Sequence, residues 1–270
     1  MREDGVPLHA ILPIKTITME KQIFELEVAG RQMRYLLNEP AAANYFCIPL
    51  HHCGGEDFDI MVTEELRARK REFFPPEISE AFKEYKLLGY QTAKYLLRSQ
   101  ACIVHAVAIR WQGKAWLLCA PSGTGKTTQF SLWRRLRGRE VRLLSGDQPI
   151  VTLESDGEVQ TWASPWTGKE RWVDDPGPAP LGGIIFLEQA AENSIEPLLS
   201  KESVPRLFQT FMAFPDTEEE IRGYAALADA MISLHPVWLL RNRGDFASAR
   251  LAMGTIQMYL SERRQNNETV

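Results

Sequence analysis

The sequence lacks long hydrophobic runs and has few cysteines. No segment approaches the roughly 18 consecutive apolar residues of a membrane-spanning helix. The first residues, MREDGVPLHAILPIK, lack the apolar stretch and small-residue cleavage site of a secretory signal. Two of the four cysteines, Cys102 and Cys119, lie inside apolar runs, where a thiol usually acts as a small hydrophobic group. We therefore expect a cytoplasmic protein with reduced thiols and no membrane partner.

The sequence also lacks a strong charge of either sign. Its 31 basic and 35 acidic residues leave a formal net charge of −4, which argues against a general nucleic-acid-binding protein. Hydrophobic residues make up 44% and charged residues 24%, values that exclude a disordered chain, collagen and a coiled coil. The 270 residues are enough to bury a large core without a disulfide or metal to stabilise it.

The chain divides into two predicted parts, residues 1–75 and residues 76–270. The first is β-rich, because residues 23–28 partly alternate, Gly30 turns the chain and residues 33–37 return as a second strand. It can serve in substrate recognition or in forming a homo-oligomer. In the second part we expect helices over residues 77–99, 202–213, 217–232 and 246–262, a hairpin of residues 150–153 and 159–162, and a strand over residues 237–241.

A glycine-containing loop lies between a predicted buried strand and a predicted helix. Residues 115–119 are apolar, residues 120–128 read Ala-Pro-Ser-Gly-Thr-Gly-Lys-Thr-Thr, and residues 129–136 continue as a helix. This arrangement is typical of a P-loop, although Ala120 stands where the usual pattern has glycine. The alternative is a glycine-rich turn that happens to precede a helix. The loop predicts nucleoside-triphosphate binding, because both flanks and the Lys-Thr pair fit together.

The residue types in this loop fit the chemistry of a bound triphosphate. Gly123 and Gly125 allow backbone N–H groups to point at phosphate oxygens, and the helix N-terminus adds a favourable partial charge. Lys126 would contact the β- and γ-phosphates, and the Thr127 hydroxyl would bind Mg²⁺. The expected cofactors are therefore ATP and Mg²⁺. The predicted nucleotide-binding residues are Pro121, Ser122, Gly123, Thr124, Gly125, Lys126, Thr127 and Thr128.

A histidine is expected beside this loop. Residues 102–109 form a strand that leads through Gln112 and Gly113 to the P-loop strand. If those two residues form a two-residue hairpin loop, His105 lies opposite Ala120, at the mouth of the phosphate loop. A lone histidine in an apolar strand is usually a core residue, but this register favours a functional role.

A carboxylate follows the next predicted strand. Residues 141–144 lead into residues 145–149, which read Ser-Gly-Asp-Gln-Pro. Ligands of α/β sheets bind beyond the carboxyl ends of the strands, where Asp147 can hold Mg²⁺ or take a proton from an attacking hydroxyl. The alternative is a plain turn, which this composition would also allow. The preceding strand-loop-helix favours the catalytic role.

Together these features resemble the HPr serine kinase/phosphorylase family and its bacterial relatives, with phosphoenolpyruvate carboxykinase as a more distant relative. The resemblance covers about residues 101–153. It implies an α/β fold in which a mixed sheet carries a hairpin into the P-loop strand. It also implies transfer of phosphate from ATP to a hydroxyl, commonly a serine of a protein or peptide. The catalytic residues would be Asp147 as general base, His105 beside the γ-phosphate and Lys126, with Thr127 and Asp147 sharing the metal.

The sequence departs from the family at two points. Gly146 precedes Asp147 where HPr kinases carry two adjacent aspartates, and the arginine- and glycine-rich loop that engages HPr is missing. These departures favour a branch that phosphorylates ribosomally made peptides. A small-molecule or amino-acid kinase and a regulatory, non-catalytic nucleotide-binding module stay open as alternatives.

Two further groups of residues are candidates for the site. Ser164, Trp166, Lys169 and Glu170 lie in a loop that resembles one in relatives of this kinase group, and we expect it to border the acceptor. The alternative is a surface turn whose tryptophan covers apolar area. Two arginines at the end of the last predicted strand, Arg241 and Arg243, can reach phosphates from the far side, but the sequence does not place them.

Overall fold

The computed structural model describes residues 22–47, 50–53, 57–166, 174–175 and 177–268. The described part of the chain begins with a small sheet and two helices. These elements are β1 (Gln22–Val28), β2 (Arg31–Leu37), β3 (His51–Cys53), β4 (Ile60–Met61), α1 (Glu64–Lys70) and α2 (Glu80–Leu97), with 3-10 helices at Pro40–Tyr45 and Arg71–Phe73. The strand order in the small sheet is β3-β1-β2-β4.

The first two strands form the hairpin that the sequence predicts. They are antiparallel, with Val28 opposite Arg31 next to the turn. Ala29 and Gly30 have φ angles of 49° and 73°, as a two-residue turn of type I′ requires at both positions. β3 pairs with β1 antiparallel, and β4 pairs with β2 parallel.

The rest of the described chain forms a larger sheet with helices on both faces. Its elements are β5 (Ala101–Ile103), β6 (Ala106–Trp111), β7 (Lys114–Cys119), α3 (Lys126–Arg137), a 3-10 helix at Gly138–Glu140, β8 (Arg142–Ser145), β9 (Ile150–Leu153), β10 (Val159–Trp162), β11 (Ala179–Gln189), β12 (Ser194–Pro197), α4 (Ser200–Phe208), α5 (Glu218–Ser233), β13 (Val237–Asn242) and α6 (Phe246–Glu268). The molecule is therefore a mixed α/β protein.

The strand order of the large sheet brings several strand ends to one edge. The main body runs β8-β6-β7-β11-β13-β12, and β5-β9-β10 join it at the first residues of β11. β7, β11 and β13 are parallel. β6 is antiparallel to both β7 and β8, so β8 runs in the same direction as β7. The carboxyl ends of β7, β8, β11 and β13 and the start of β6 therefore share one edge.

The β6–β7 hairpin has the register that the sequence predicts. Ala106 pairs with Cys119 and Trp111 with Lys114, which leaves Gln112 and Gly113 as the loop. These two residues have φ angles of 54° and 73°, again a type I′ turn. The predicted two-residue loop is confirmed, and the chain before β6 lies beside the chain after β7.

Two predicted helices end more than two residues away from the last residue that the structure gives them. α4 ends at Phe208 instead of residue 213, because the next residues pair with the chain between β5 and β6: His105 N donates to Thr210 O at 2.7 Å and Met212 N donates to Ile103 O at 3.0 Å. α6 continues to Glu268, past the predicted end at residue 262, because its polar last turns include good helix formers and need no buried face.

Buried side chains cover both faces of the large sheet. One hydrophobic cluster joins the small sheet, α2, α4 and α5 to one face, and the other joins α3 and α6 to the opposite face. The alternation along β7 shows this division, since Leu117 belongs to the first cluster and Trp116 and Leu118 belong to the second. None of the helices in the described part of the chain is both long and apolar enough to cross a membrane.

Two helical glycines differ in what surrounds them and give a matched test of this packing. A Cβ atom on Gly223 in α5 would lie 2.5 Å from the carbonyl oxygen of Leu97, whereas a Cβ on Gly254 in α6 would meet nothing within 4 Å. We expect Gly223→Ala to lower the free energy of unfolding by about 1–3 kcal/mol, because the backbones must separate. Gly254→Ala should raise it by up to about 1 kcal/mol through helix propensity. Urea unfolding measures both, and equal effects would contradict the close approach of α5 to the end of α2.

Candidate functional site

The shared sheet edge carries a loop shaped by two glycines. Residues 120–125 connect β7 to α3, and Gly123 and Gly125 have φ angles of 81° and 107°, a region that side-chain-bearing residues rarely adopt. Ala120, which replaces the usual glycine, is not among the residues with positive φ, so alanine fits there. Gly125 is the N-cap of α3 and offers no side chain to the first amides of the helix. Those amides can therefore donate to an external anion.

Lys126 is the first residue of α3, and its ammonium group is held inside the loop. Nζ lies 2.7 Å from the carbonyl oxygen of Ala120, 3.3 Å from that of Pro121 and 2.9 Å from His105 Nε2. Only 8% of the residue is exposed. Burial lowers the pKa of Lys126 below its ordinary value, while Asp147 acts in the opposite direction. A largely desolvated cation therefore sits at the centre of the glycine loop.

His105 lies between this lysine and Asp147, at the mouth of the loop as the hairpin register predicts. The predicted single strand over residues 102–109 is wrong, because the strand is interrupted at residues 104–105 and β5 pairs with β9 while β6 pairs with β7. The backbone of His105 is fixed because its neighbour Ala106 donates to Asp147 O at 3.0 Å. Since Nε2 faces the Lys126 ammonium, the neutral ring accepts there and carries its proton on Nδ1, which lies 3.8 Å from Asp147 Oδ1. Burial lowers the pKa of His105, and the charge of Lys126 lowers it further. The structure thus brings together the three residues that the sequence selects as catalytic.

The predicted metal ligands have suitable chemistry. Thr127 is exposed in the first turn of α3, and Asp147 is partly exposed after β8. Hydroxyl and carboxylate oxygens are hard ligands of the kind that Mg²⁺ prefers. Within the described residues, no group of three or more histidine, cysteine, aspartate or glutamate side chains could hold a metal by itself. A magnesium ion at this edge would therefore need oxygens from a bound phosphate or water in addition.

A buried polar network behind the loop is not predicted from the sequence. Gln129, in α3, is fully buried, and its amide donates to Asn242 Oδ1 at 3.2 Å and to Ser248 Oγ at 2.7 Å. It ties the start of α3 to the end of β13 and the start of α6. The sequence does contain a signal for this network, because the helical spacing places Gln129 on the same face of α3 as the core residues Leu132 and Trp133. A polar residue at a core-facing position usually has a specific partner.

The predicted acceptor role of Ser164 and Trp166 is wrong. Both residues are buried, with the tryptophan at 0% exposure, so neither offers surface to an acceptor. Trp166 Nε1 donates to Tyr85 O at 3.1 Å, and the indole lies against Gly89 of α2, where a Cβ would be 2.9 Å from Nε1. Its ring also packs near the ring of Phe46, with 5.8 Å between the ring centroids. The side chain joins α2 and the small sheet to the rest of the protein.

The other two residues of that loop, Lys169 and Glu170, lie outside the described residues. Their predicted role at the acceptor side therefore stays a prediction.

Replacing this tryptophan tests its role as a core residue. We expect Trp166→Ala to lower the free energy of unfolding by about 3–5 kcal/mol, because a large buried side chain leaves a cavity. Trp166→Phe should cost less, since it keeps most of the ring. The control Met258→Ala, at a side chain that is 65% exposed, should change stability by less than about 0.5 kcal/mol. A Trp166→Ala protein as stable as this control would show that the indole is not part of the core.

The electrostatic contact among the three clustered residues can be measured by NMR titration of His105. Its pKa should lie below the ordinary histidine value, because burial disfavours the charged ring and both Lys126 and Lys86 repel it. Lys126→Met should raise that pKa by removing a cation. Asp147→Asn should lower the pKa of His105, because it removes a nearby anion that favours the protonated ring. Shifts in the opposite directions, or none, would contradict the arrangement, and His105→Gln identifies the resonance.

Comparison with known proteins gives a distant similarity in fold. A scan of the sequence against protein-family models finds no match, and a search of curated proteins finds none. Among solved structures, the chain is similar to "Structure of the Hpr(Ser) kinase/phosphatase from Coxiella burnetii", with a TM-score of 0.37 and 9% identity over 62% of this chain and 97% of that one. At this level the similarity is a distant one of fold.

Proposed function

We propose that this protein is an ATP- and Mg²⁺-dependent phosphotransferase that moves the γ-phosphoryl group to a hydroxyl of a peptide or protein. One observation carries the proposal. The Lys126 ammonium lies inside a glycine-shaped loop, 2.9 Å from His105 Nε2, and His105 Nδ1 lies 3.8 Å from a carboxylate oxygen of Asp147. A cation that can bind phosphate and a carboxylate that can accept a proton thus lie at the same edge of the large sheet.

The loop supports binding of a triphosphate. The direct hydrogen-bond partners of Lys126 Nζ are two carbonyl oxygens and an imidazole nitrogen, all neutral, so they orient the ammonium without cancelling its charge. A phosphate oxygen can form a charge-assisted hydrogen bond with it. The first amides of α3 add further donors. Thr127 and Asp147 would hold Mg²⁺, which when bound neutralises charge on the β- and γ-phosphates.

Asp147 supports the transfer step as the general base. The acceptor hydroxyl oxygen forms a bond to the γ-phosphorus as the bond from that phosphorus to the β–γ bridging oxygen breaks. ADP leaves with the electron pair of that bond, and the hydroxyl proton passes to the Asp147 carboxylate. Lys126 stabilises the negative charge of the transferring group.

His105 has an assisting role in this mechanism. Its lowered pKa keeps the ring neutral near pH 7. The neutral ring can accept from Lys126 through Nε2 and present its Nδ1 proton towards Asp147. It therefore aligns the lysine and the base. The family resemblance of the sequence supports the class of the acceptor, a hydroxyl of a peptide or protein.

Binding is tested with a charge-removing substitution in the loop. Mg·ATP at about 100 times its dissociation constant should raise the melting temperature of the native protein by about 5–10 °C through mass action. Lys126→Met should remove most of this rise. Lys201→Met removes an exposed lysine of α4 and should behave as the native protein. Equal shifts in all three proteins would reject the proposed binding site.

Transfer is tested with Asp147→Asn, which keeps the shape of the side chain but cannot accept the proton. Because its amide oxygen can still contribute to Mg²⁺, the variant should weaken Mg·ATP binding only a few-fold, roughly the cost of one lost charge, while it lowers phosphoryl transfer by about 10²–10⁴-fold. The matched control Asp229→Asn, on the exposed face of α5, should keep native rates. Mass spectrometry of cell extract incubated with the protein and γ-labelled ATP identifies the acceptor. Labelled peptides support the proposal, a labelled metabolite indicates a small-molecule kinase, and ATP binding with no labelled product indicates a regulatory module.

A further inference from the structure

The sheet order separates the surroundings of the glycine loop into two sides. His105 precedes β6 and Asp147 follows β8, and both strands lie on one side of β7. β11 and β13 lie on the other side, with their carboxyl ends at the same edge. His105 and Asp147, which are proposed to lie next to the γ-phosphoryl, are therefore both on the β6–β8 side of Lys126. The α-phosphate and the nucleoside of a bound nucleotide would then need space on the β11–β13 side.

The chain that follows β13 lies on that opposite side, against the start of α3. We call the last residue of β13, Asn242, together with residues 243–245 the β13–α6 loop. A Cβ atom on Gly244 would lie 3.8 Å from Thr128 Cγ2. Gln129 Nε2 donates to Asn242 Oδ1, which also accepts the Gly244 amide at 3.0 Å. The glycine loop and the β13–α6 loop are thus joined through buried hydrogen bonds.

The β13–α6 loop is also fixed from the side away from α3. Asp245 Oδ1 accepts from the Ser248 amide and from Asn193 Nδ2, each at 2.9 Å. Asn193 Oδ1 accepts from the Arg243 amide at 2.8 Å. Asn242 Nδ2 donates to Glu188 O at 3.0 Å, near the end of β11. These hydrogen bonds fix the backbone before and after Arg243, so the position from which its side chain extends is fixed as well.

The structure gives different surroundings to Arg241, in β13, and Arg243, directly after it. Arg241 is paired with Glu196 at 2.6 Å and with Glu188 at 3.7 Å, so its charge is already neutralised by carboxylates. Arg243 has a looser contact, with Nε 3.8 Å from Asp245 Oδ2, and its side chain is 62% exposed. Arg243 is therefore the arginine that can turn towards a ligand at small cost.

We propose that the nucleoside half of the nucleotide lies over the ends of β11 and β13, and that Arg243 pairs with its α-phosphate. The inference rests on the proposed function. With the γ-phosphate held near Lys126 and Asp147, the α-phosphate extends towards the β13–α6 loop. An arginine guanidinium is well suited to pair with a phosphate there, because its planar fork of N–H donors matches the phosphate oxygens.

Titration calorimetry at one ionic strength tests this placement with two probes, Mg·ATP and Mg·pyrophosphate. Arg243→Ala should raise the dissociation constant for Mg·ATP about tenfold, the loss expected for a charge-assisted hydrogen bond. The dissociation constant for Mg·pyrophosphate, which lacks an α-phosphate and a nucleoside, should stay within about twofold. Arg241→Ala removes the same charge from the same strand end and should alter neither value, which excludes a long-range charge effect.

Three results would overturn the inference. Arg243→Ala could leave Mg·ATP binding unchanged, or weaken both probes equally, or match Arg241→Ala in its effect on Mg·ATP. In each of these cases the native protein still binds Mg·ATP, so the proposed function survives. If the native protein binds neither probe, the proposed function itself fails and this placement with it. Arg243→Lys, which keeps the charge but not the planar fork, should fall between the native protein and Arg243→Ala.

Discussion

The register of the β6–β7 hairpin is the constraint on which the candidate site depends. Gln112 and Gly113 adopt the left-handed conformations of a type I′ turn, which joins the two strands through a two-residue loop. A shift of the pairing by one residue would turn every side chain of one strand to the other face of the sheet. With this register, the chain before β6 lies beside the glycine loop, and His105 reaches Lys126. The geometry of a turn at one end of the hairpin therefore positions the functional groups at the other end.

The charge at the centre of the site is stabilised in a way that leaves it available to a ligand. Burial of an ammonium group is costly unless hydrogen bonds replace its water. Lys126 obtains these bonds from the carbonyl oxygens of Ala120 and Pro121 and from His105, all neutral groups. The lowered pKa values of Lys126 and His105 have the same origin, because each is desolvated and the lysine charge also repels a proton on the ring. The protein thus holds positive potential where phosphate charge would be bound.

The small N-terminal sheet is tied to this framework by aromatic packing. Trp166 comes from the chain after β10, yet its indole nitrogen donates to Tyr85 of α2, and its ring packs with Tyr35 of β2 and Phe46. The sequence predicts a surface role for Trp166 because proline and glycine surround it. That prediction is wrong because a loop residue becomes buried when another part of the chain covers it, and local composition carries no information about that cover. The boundary predicted between residues 75 and 76 stays a prediction.

The sequence by itself determined the features that depend on neighbours in the chain. The hairpin turns, the glycine loop and the start of α3 follow from φ requirements and capping, which act over a few residues. The tertiary structure decided what depends on distant residues. Gln129 meets Asn242 and Ser248 because α3, β13 and α6 pack together, and α4 ends at Phe208 because residues 210–212 pair with the chain beside β5. Such contacts join residues more than a hundred positions apart, and their energies arise only when the core has assembled.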